Sequence, residues 1–105
     1  MTDNRRTATR HAVSIAGQLA MGTPPVTGDC TILNISLGGA LIAATKRYPM
    51  GVRCNLVFVV PSQEEAIEIG ATVRWSDDAA VGVQFDGLRA RDVWALNEYF
   101  KQLAG

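Results

Sequence analysis

Hydrophobic and polar residues alternate with a period of two along most of the chain. The segments that carry this pattern, or extend it as short β-forming runs, are HAVSIAGQL, CTILNIS, GALIAA, VRCNLVFVV, AIEIGATVRW and AAVGVQF. A period of two places alternate side chains on one face of a strand, so these segments predict strands with one buried face. The stretches between them are rich in residues that favour turns: GTPPVTGD, KRYPMG, PSQEE and SDDA.

The last segment, RARDVWALNEYFKQLAG, changes to a helical period. Its apolar stripe consists of Val93, Leu96, Phe100 and Leu103, widened by Trp94 and Tyr99. Apolar residues three and four positions apart predict one amphipathic helix over residues 89–103. Antiparallel strands over residues 12–86, followed by this helix, predict a small barrel on which the helix packs, because closing a sheet removes its exposed edges.

The composition is that of one folded domain, residues 1–105. The chain is 48% hydrophobic, and its ten basic and ten acidic residues balance to zero, so charge gives no reason to expect a nucleic acid partner. We find no leader and no apolar stretch that could span a bilayer, and we expect a cytoplasmic protein without membrane insertion. Cys30 and Cys54 lie within apolar alternation, so buried free thiols are expected, with a disulfide as the alternative.

Three arginines, Arg5, Arg6 and Arg10, precede the first strand. Residues 1–11 are predicted to form a flexible arm, because their like charges repel and the segment has little to bury. In an extended chain Arg6 and Arg10 would stand about 13 Å apart. Each guanidinium offers a planar fork of donors that suits a phosphate or the O6 and N7 atoms of guanine. Taken alone, the segment is better interpreted as a solvated basic tail.

A second motif, NISLGG, runs from Asn34 to Gly39. In a strand, Asn34 and Ser36 would project from the same face, where an amide can match the donors and acceptors of a purine edge. Gly38 and Gly39 allow a positive φ or a close approach of ligand to backbone. The alternative is an ordinary turn in which Asn34 and Ser36 form local hydrogen bonds.

Taken together, the two motifs resemble the PilZ domain family, which binds cyclic di-GMP. The pattern is RxxxR followed by (D/N)xSxxG, with Asn34 placed 24 positions after Arg10. The strands GALIAA, GATVRW and AVGVQF and the closing helix extend the resemblance over nearly the whole chain. It implies a bacterial protein with a six-stranded antiparallel β-barrel, a C-terminal α-helix, and an N-terminal arginine segment that clamps the cyclic dinucleotide.

The resemblance also implies roles for the motif residues. Arg6 and Arg10 would contact guanine edges and phosphates. Asn34 and Ser36 would hydrogen-bond a guanine from the barrel surface, and Gly39 would leave room for that base.

Further ligand-binding candidates flank these residues. Gly38 adjoins Gly39 and shares its small size. Trp75 is in phase with Val73, which favours core packing, yet its place near the strand end resembles a PilZ position beside the ligand. Arg5 precedes the first motif, and PilZ members with Arg there tend to bind an intercalated pair of ligands. One or two cyclic di-GMP molecules per chain are therefore expected.

The predicted function is that of a cyclic di-GMP receptor that orders its arm on binding and signals to an unidentified downstream protein. No catalytic residue, metal site or cofactor is expected. Ser36 and His11 lack a convincing acid partner for nucleophilic catalysis, and His11 is expected to be a packed or half-exposed strand residue. The alternative is a PilZ-like adaptor that does not bind nucleotide, although the intact motif residues argue against it.

Overall fold

The computed structural model describes residues 10–22, 26–44, 48–60 and 65–104. The elements in chain order are β1 (His11–Met21), β2 (Val26–Ile35), β3 (Gly39–Ala44), β4 (Arg53–Phe58), β5 (Ile67–Ser76), β6 (Ala80–Phe85) and α1 (Ala90–Ala104). Of the predicted flexible arm, only Arg10 and His11 are among the described residues, and His11 already begins β1.

The strands form a closed antiparallel barrel in the order β1-β2-β3-β6-β5-β4, and β4 pairs with β1 to complete it. The predicted six-stranded barrel with a C-terminal helix is confirmed. The period-two pattern explains the barrel, since alternate side chains point into one shared core. Its fully buried members include Leu19, Ile32, Ile42, Leu56, Ile69, Val73 and Val81.

The two cysteines are buried inside the barrel as free thiols, as the alternation predicts. Burial, with a smaller contribution from the charge of Asp29, raises the pKa of Cys30 to about 11. Burial likewise raises the pKa of Cys54 to about 11, with a smaller contribution from Asp86. Both side chains therefore remain neutral thiols and pack as small apolar groups.

The helix begins with a cap formed by Arg89 and Asp92. The backbone N–H of Arg89 donates to Oδ2 of Asp92 at 3.3 Å, and the Arg89 guanidinium Nε donates to the same oxygen at 3.1 Å. Asp92 is buried, so these contacts satisfy a carboxylate that would otherwise be desolvated without partners. An acid in the first turn also interacts favourably with the helix dipole.

The buried face of α1 is narrower than the sequence predicts. Leu96 and Phe100 are buried as expected, and the Phe100 ring stacks on His11 of β1 with ring centroids 4.0 Å apart. Trp94 and Leu103, predicted to belong to the apolar stripe, are exposed. Trp94 lies two positions from Leu96, about 200° around the helix axis, so both cannot face the barrel. No helix in the described ranges is long and apolar enough to cross a membrane.

Candidate functional site

The candidate site is an open cleft of about 960 Å³ on the outer surface of the barrel. Its polar and aromatic lining includes Arg10, Ser36, Arg74, Trp75 and Gln84, and glycines of β3 and β6 form part of its floor. Such a volume lies within the range of about 300 to 1,000 Å³ that is typical of small-molecule sites. The cleft contains residues from both sequence motifs.

A hydrogen bond joins the two motifs. Nη1 of Arg10 donates to Oδ1 of Asn34 at 2.9 Å. Asn34 lies near the end of β2, which pairs with the start of β1, so the antiparallel register brings the two residues together. Because the Asn34 amide is neutral, it positions the guanidinium without cancelling its charge. Arg10 thus remains available to an anionic ligand.

Ser36 shapes the turn that follows β2. Its Oγ accepts the backbone N–H groups of Gly38 and Gly39 at 3.0 and 3.2 Å. The side chain is only 3% exposed. The expectation that Ser36 projects beside Asn34 from a strand is wrong, since β2 ends at Ile35. The turn that the sequence offered as the alternative is present, with local hydrogen bonds from Ser36 but not from Asn34, whose side chain bonds to Arg10. A direct contact between Ser36 and a guanine stays a prediction.

Gly39 is required by the barrel itself. A Cβ atom there would collide with the backbone oxygen of Val83 on β6. Within the described ranges, positive φ values occur at Gly22 and Gly51, so neither Gly38 nor Gly39 uses that freedom. The sequence offers two reasons for the glycines, a positive φ or a close approach of ligand to backbone. At Gly39 the close approach is present, but it is made by the backbone of the neighbouring strand β6.

Trp75 is exposed because of a β-bulge. Val73 pairs with Val83, and Trp75 pairs with Gly82, so β5 advances two residues while β6 advances one. The bulge breaks the alternation, and Trp75 is 45% exposed. The expectation of core packing is therefore wrong. A Cβ on Gly82 would overlap the indole ring, which shows that the ring rests directly on the β6 backbone.

Arg74 lies on the outward face of β5 by ordinary alternation, so the bulge brings Trp75 to the same face, and both residues line the cleft. Arg74 is not among the site residues predicted from the sequence. The available signal was the adjacent Arg-Trp pair with a glycine on the facing strand, but periodicity cannot locate a bulge. In the described part of the chain, the Arg74 side chain forms no ion pair or hydrogen bond.

Two further candidates are not placed by the structure. Arg5 and Arg6 lie outside the described residues, so their expected contacts with a ligand stay predictions.

His11, expected to be a packed or half-exposed strand residue, is half-buried against Phe100, which confirms that expectation.

The sequence profile described as "PilZ domain" matches residues 4–102. The chain therefore belongs to the PilZ domain family, a cyclic di-GMP-binding family whose members act as receptors and adaptors. A search of curated proteins gives no match.

Two solved structures show the same fold. The inhibitor of motility MotI/DgrA from Bacillus subtilis superposes with a TM-score of 0.74 and 22% identity, covering 97% of this chain and 53% of that one. The PilZ domain of CeSA from a cellulose-synthesizing bacterium superposes with a TM-score of 0.68 and 11% identity, covering 92% of this chain and 96% of that one. The chain thus spans about half the length of MotI/DgrA.

Proposed function

We propose that this protein is a cyclic di-GMP receptor that acts through protein contacts. The observation that carries the proposal is the hydrogen bond between Arg10 and Asn34, which unites the two motifs at one cleft. A second support is the family to which the chain belongs.

The chemistry of the cleft suits a cyclic purine dinucleotide. Such a ligand has two phosphates and two flat bases with acceptor edges. The Arg10 guanidinium matches a phosphate or the O6 and N7 atoms of guanine, and the exposed Trp75 indole offers a surface on which a base stacks. Arg6, four positions before Arg10, would supply the second guanidinium of the clamp.

The proposed response is an ordering of the arm over the cleft. Arg10 is adjacent to His11, and His11 stacks on Phe100 of α1. Fixing Arg10 against a ligand would therefore also restrict the segment that touches the helix. A downstream protein would recognise the ordered arm together with the exposed face of α1, where Trp94 is 58% exposed.

Titration calorimetry with cyclic di-GMP, GMP and cyclic di-AMP tests the function. Binding of cyclic di-GMP in preference to the other two is expected, because a single phosphate or an adenine edge satisfies fewer of these donors. If Arg5 recruits an intercalated pair, two ligands bind per chain, and a clean one-to-one stoichiometry contradicts that part. Absence of cyclic di-GMP binding by the folded protein would contradict the receptor function and favour the alternative, an adaptor that does not bind nucleotide.

A further inference from the structure

We propose that Arg74, which belongs to neither motif, is a ligand-binding residue of the cleft and that its guanidinium contacts a phosphate of the cyclic dinucleotide. This inference rests on the proposed function. It adds a cationic residue on β5 to the contacts expected from Arg10 and Asn34.

The first support is the position of Arg74 in the barrel. Arg10 is hydrogen-bonded to Asn34 on β2, whereas Arg74 lies on β5, and β3 and β6 run between those two strands. With neighbouring strands about 4.8 Å apart, β2 and β5 are separated by about 14 Å along the sheet. Two cations therefore flank one cleft from opposite sides, and a ligand that contacts both must present separated acceptor groups.

The second support is that the β-bulge fixes this geometry. An unbroken alternation would place Arg74 and Trp75 on opposite faces of β5. The register shift turns Trp75 to the face that Arg74 already occupies, and the Trp75 indole rests on Gly82. A cation and a planar ring thus stand side by side on a strand held in the barrel on both edges. A base stacked on Trp75 would carry its sugar and phosphate past the neighbouring guanidinium.

The third support is the electrostatic state of Arg74. Four other basic residues of the described ranges form salt bridges, namely Arg53, Arg89, Arg91 and Lys101. Arg74, like Arg10, has no carboxylate partner in those ranges although it is exposed. An unpaired guanidinium retains its full attraction for an anion, because no carboxylate must be displaced first.

An arginine can bind a nucleotide through its phosphate or by stacking on its base, and the proposal assigns the phosphate contact to Arg74. Lysine binds phosphate as a point charge but lacks the planar group needed for stacking. The conservative variant Arg74→Lys therefore keeps the proposed contact and removes the alternative one.

The experiment is titration calorimetry with cyclic di-GMP on the full chain and the variants Arg74→Ala, Arg74→Lys and Arg91→Ala. Arg91 is the matched control, since it is an exposed arginine paired with Glu65 away from the cleft, and its loss changes the net charge equally. We expect Arg74→Ala to weaken binding by about tenfold or more, as for a lost charge-assisted hydrogen bond, and to reduce the salt dependence of the affinity. Arg74→Lys should bind within about threefold of the wild type, and Arg91→Ala should bind like the wild type.

Each outcome decides between the claims. Wild-type affinity in Arg74→Ala would overturn the assignment and leave the receptor function intact. Equal weakening in Arg74→Lys and Arg74→Ala would overturn the phosphate contact. If the wild-type protein does not bind cyclic di-GMP, the proposed function fails and this inference fails with it.

Discussion

At the residue scale, the cleft depends on side chains that hold its backbone in place. Ser36 accepts two amide hydrogen bonds in the turn after β2, and Gly39 lets β3 approach β6. Neither role requires contact with a ligand. Ser36 and Gly39 therefore shape the lining of the cleft whether or not they touch a ligand.

Substituting Gly39 tests this structural role. Gly39→Ala should lower the free energy of unfolding by about 1 to 3 kcal/mol, because its Cβ would collide with the backbone oxygen of Val83. Gly87→Ala is the matched control, since a Cβ there meets no atom within 4 Å. Urea unfolding of both variants gives the comparison. Equal stabilities for the two variants would contradict the close approach of β3 and β6.

At the element scale, the period-two pattern predicts the strands, and the helical period predicts α1. The irregular positions that form the site are not predictable in this way. Trp75 is in phase with Val73, and only the bulge exposes it. The bulge depends on pairing with Gly82 of another strand, which is a long-range contact. Both motifs can be identified in the sequence. The local hydrogen bonds of Ser36 cannot be predicted from it, because they depend on β2 ending at Ile35.

The contact between β1 and α1 predicts a coupled response. Ligand binding should slow amide hydrogen exchange in the second half of α1, because Arg10 adjoins His11 and His11 stacks on Phe100. In His11→Ala this added protection should largely disappear while cyclic di-GMP affinity changes by less than about threefold, since neither His11 nor Phe100 lines the cleft. Full ligand-induced protection of α1 in His11→Ala would show that the signal does not pass through this contact.

At the scale of the whole molecule, the closed barrel provides a rigid support that brings distant parts of the chain to one surface. Arg10 precedes β1, Ser36 follows β2 and Trp75 lies on β5, and the sheet order brings all three residues to one cleft. The same closure encloses Cys30 and Cys54. The stability of the barrel and the geometry of the site therefore depend on the same core.

The enclosed thiols predict how the barrel responds to alkaline pH. Folding raises both thiol pKa values from 9.0 to about 11. Their stabilising contribution is thus fully present below pH 9 and is lost as the pH rises toward 11, by roughly 2 kcal/mol per thiol. Urea midpoints should fall between pH 8 and pH 10.5, and less steeply in the double variant Cys30→Ala/Cys54→Ala. If the urea midpoint falls equally steeply with pH in the wild type and in the double variant, the thiols are not the cause of the decline in stability.

The most direct test of the central claim is the affinity for cyclic di-GMP of the wild-type protein and of Arg10→Ala, measured by titration calorimetry. The account predicts specific binding by the wild type and a loss of roughly 30-fold or more in Arg10→Ala, because a charge-assisted contact contributes about 2 kcal/mol. The circular dichroism spectrum and the melting temperature of the variant should remain those of the wild type. Wild-type affinity in a folded Arg10→Ala protein would contradict the account.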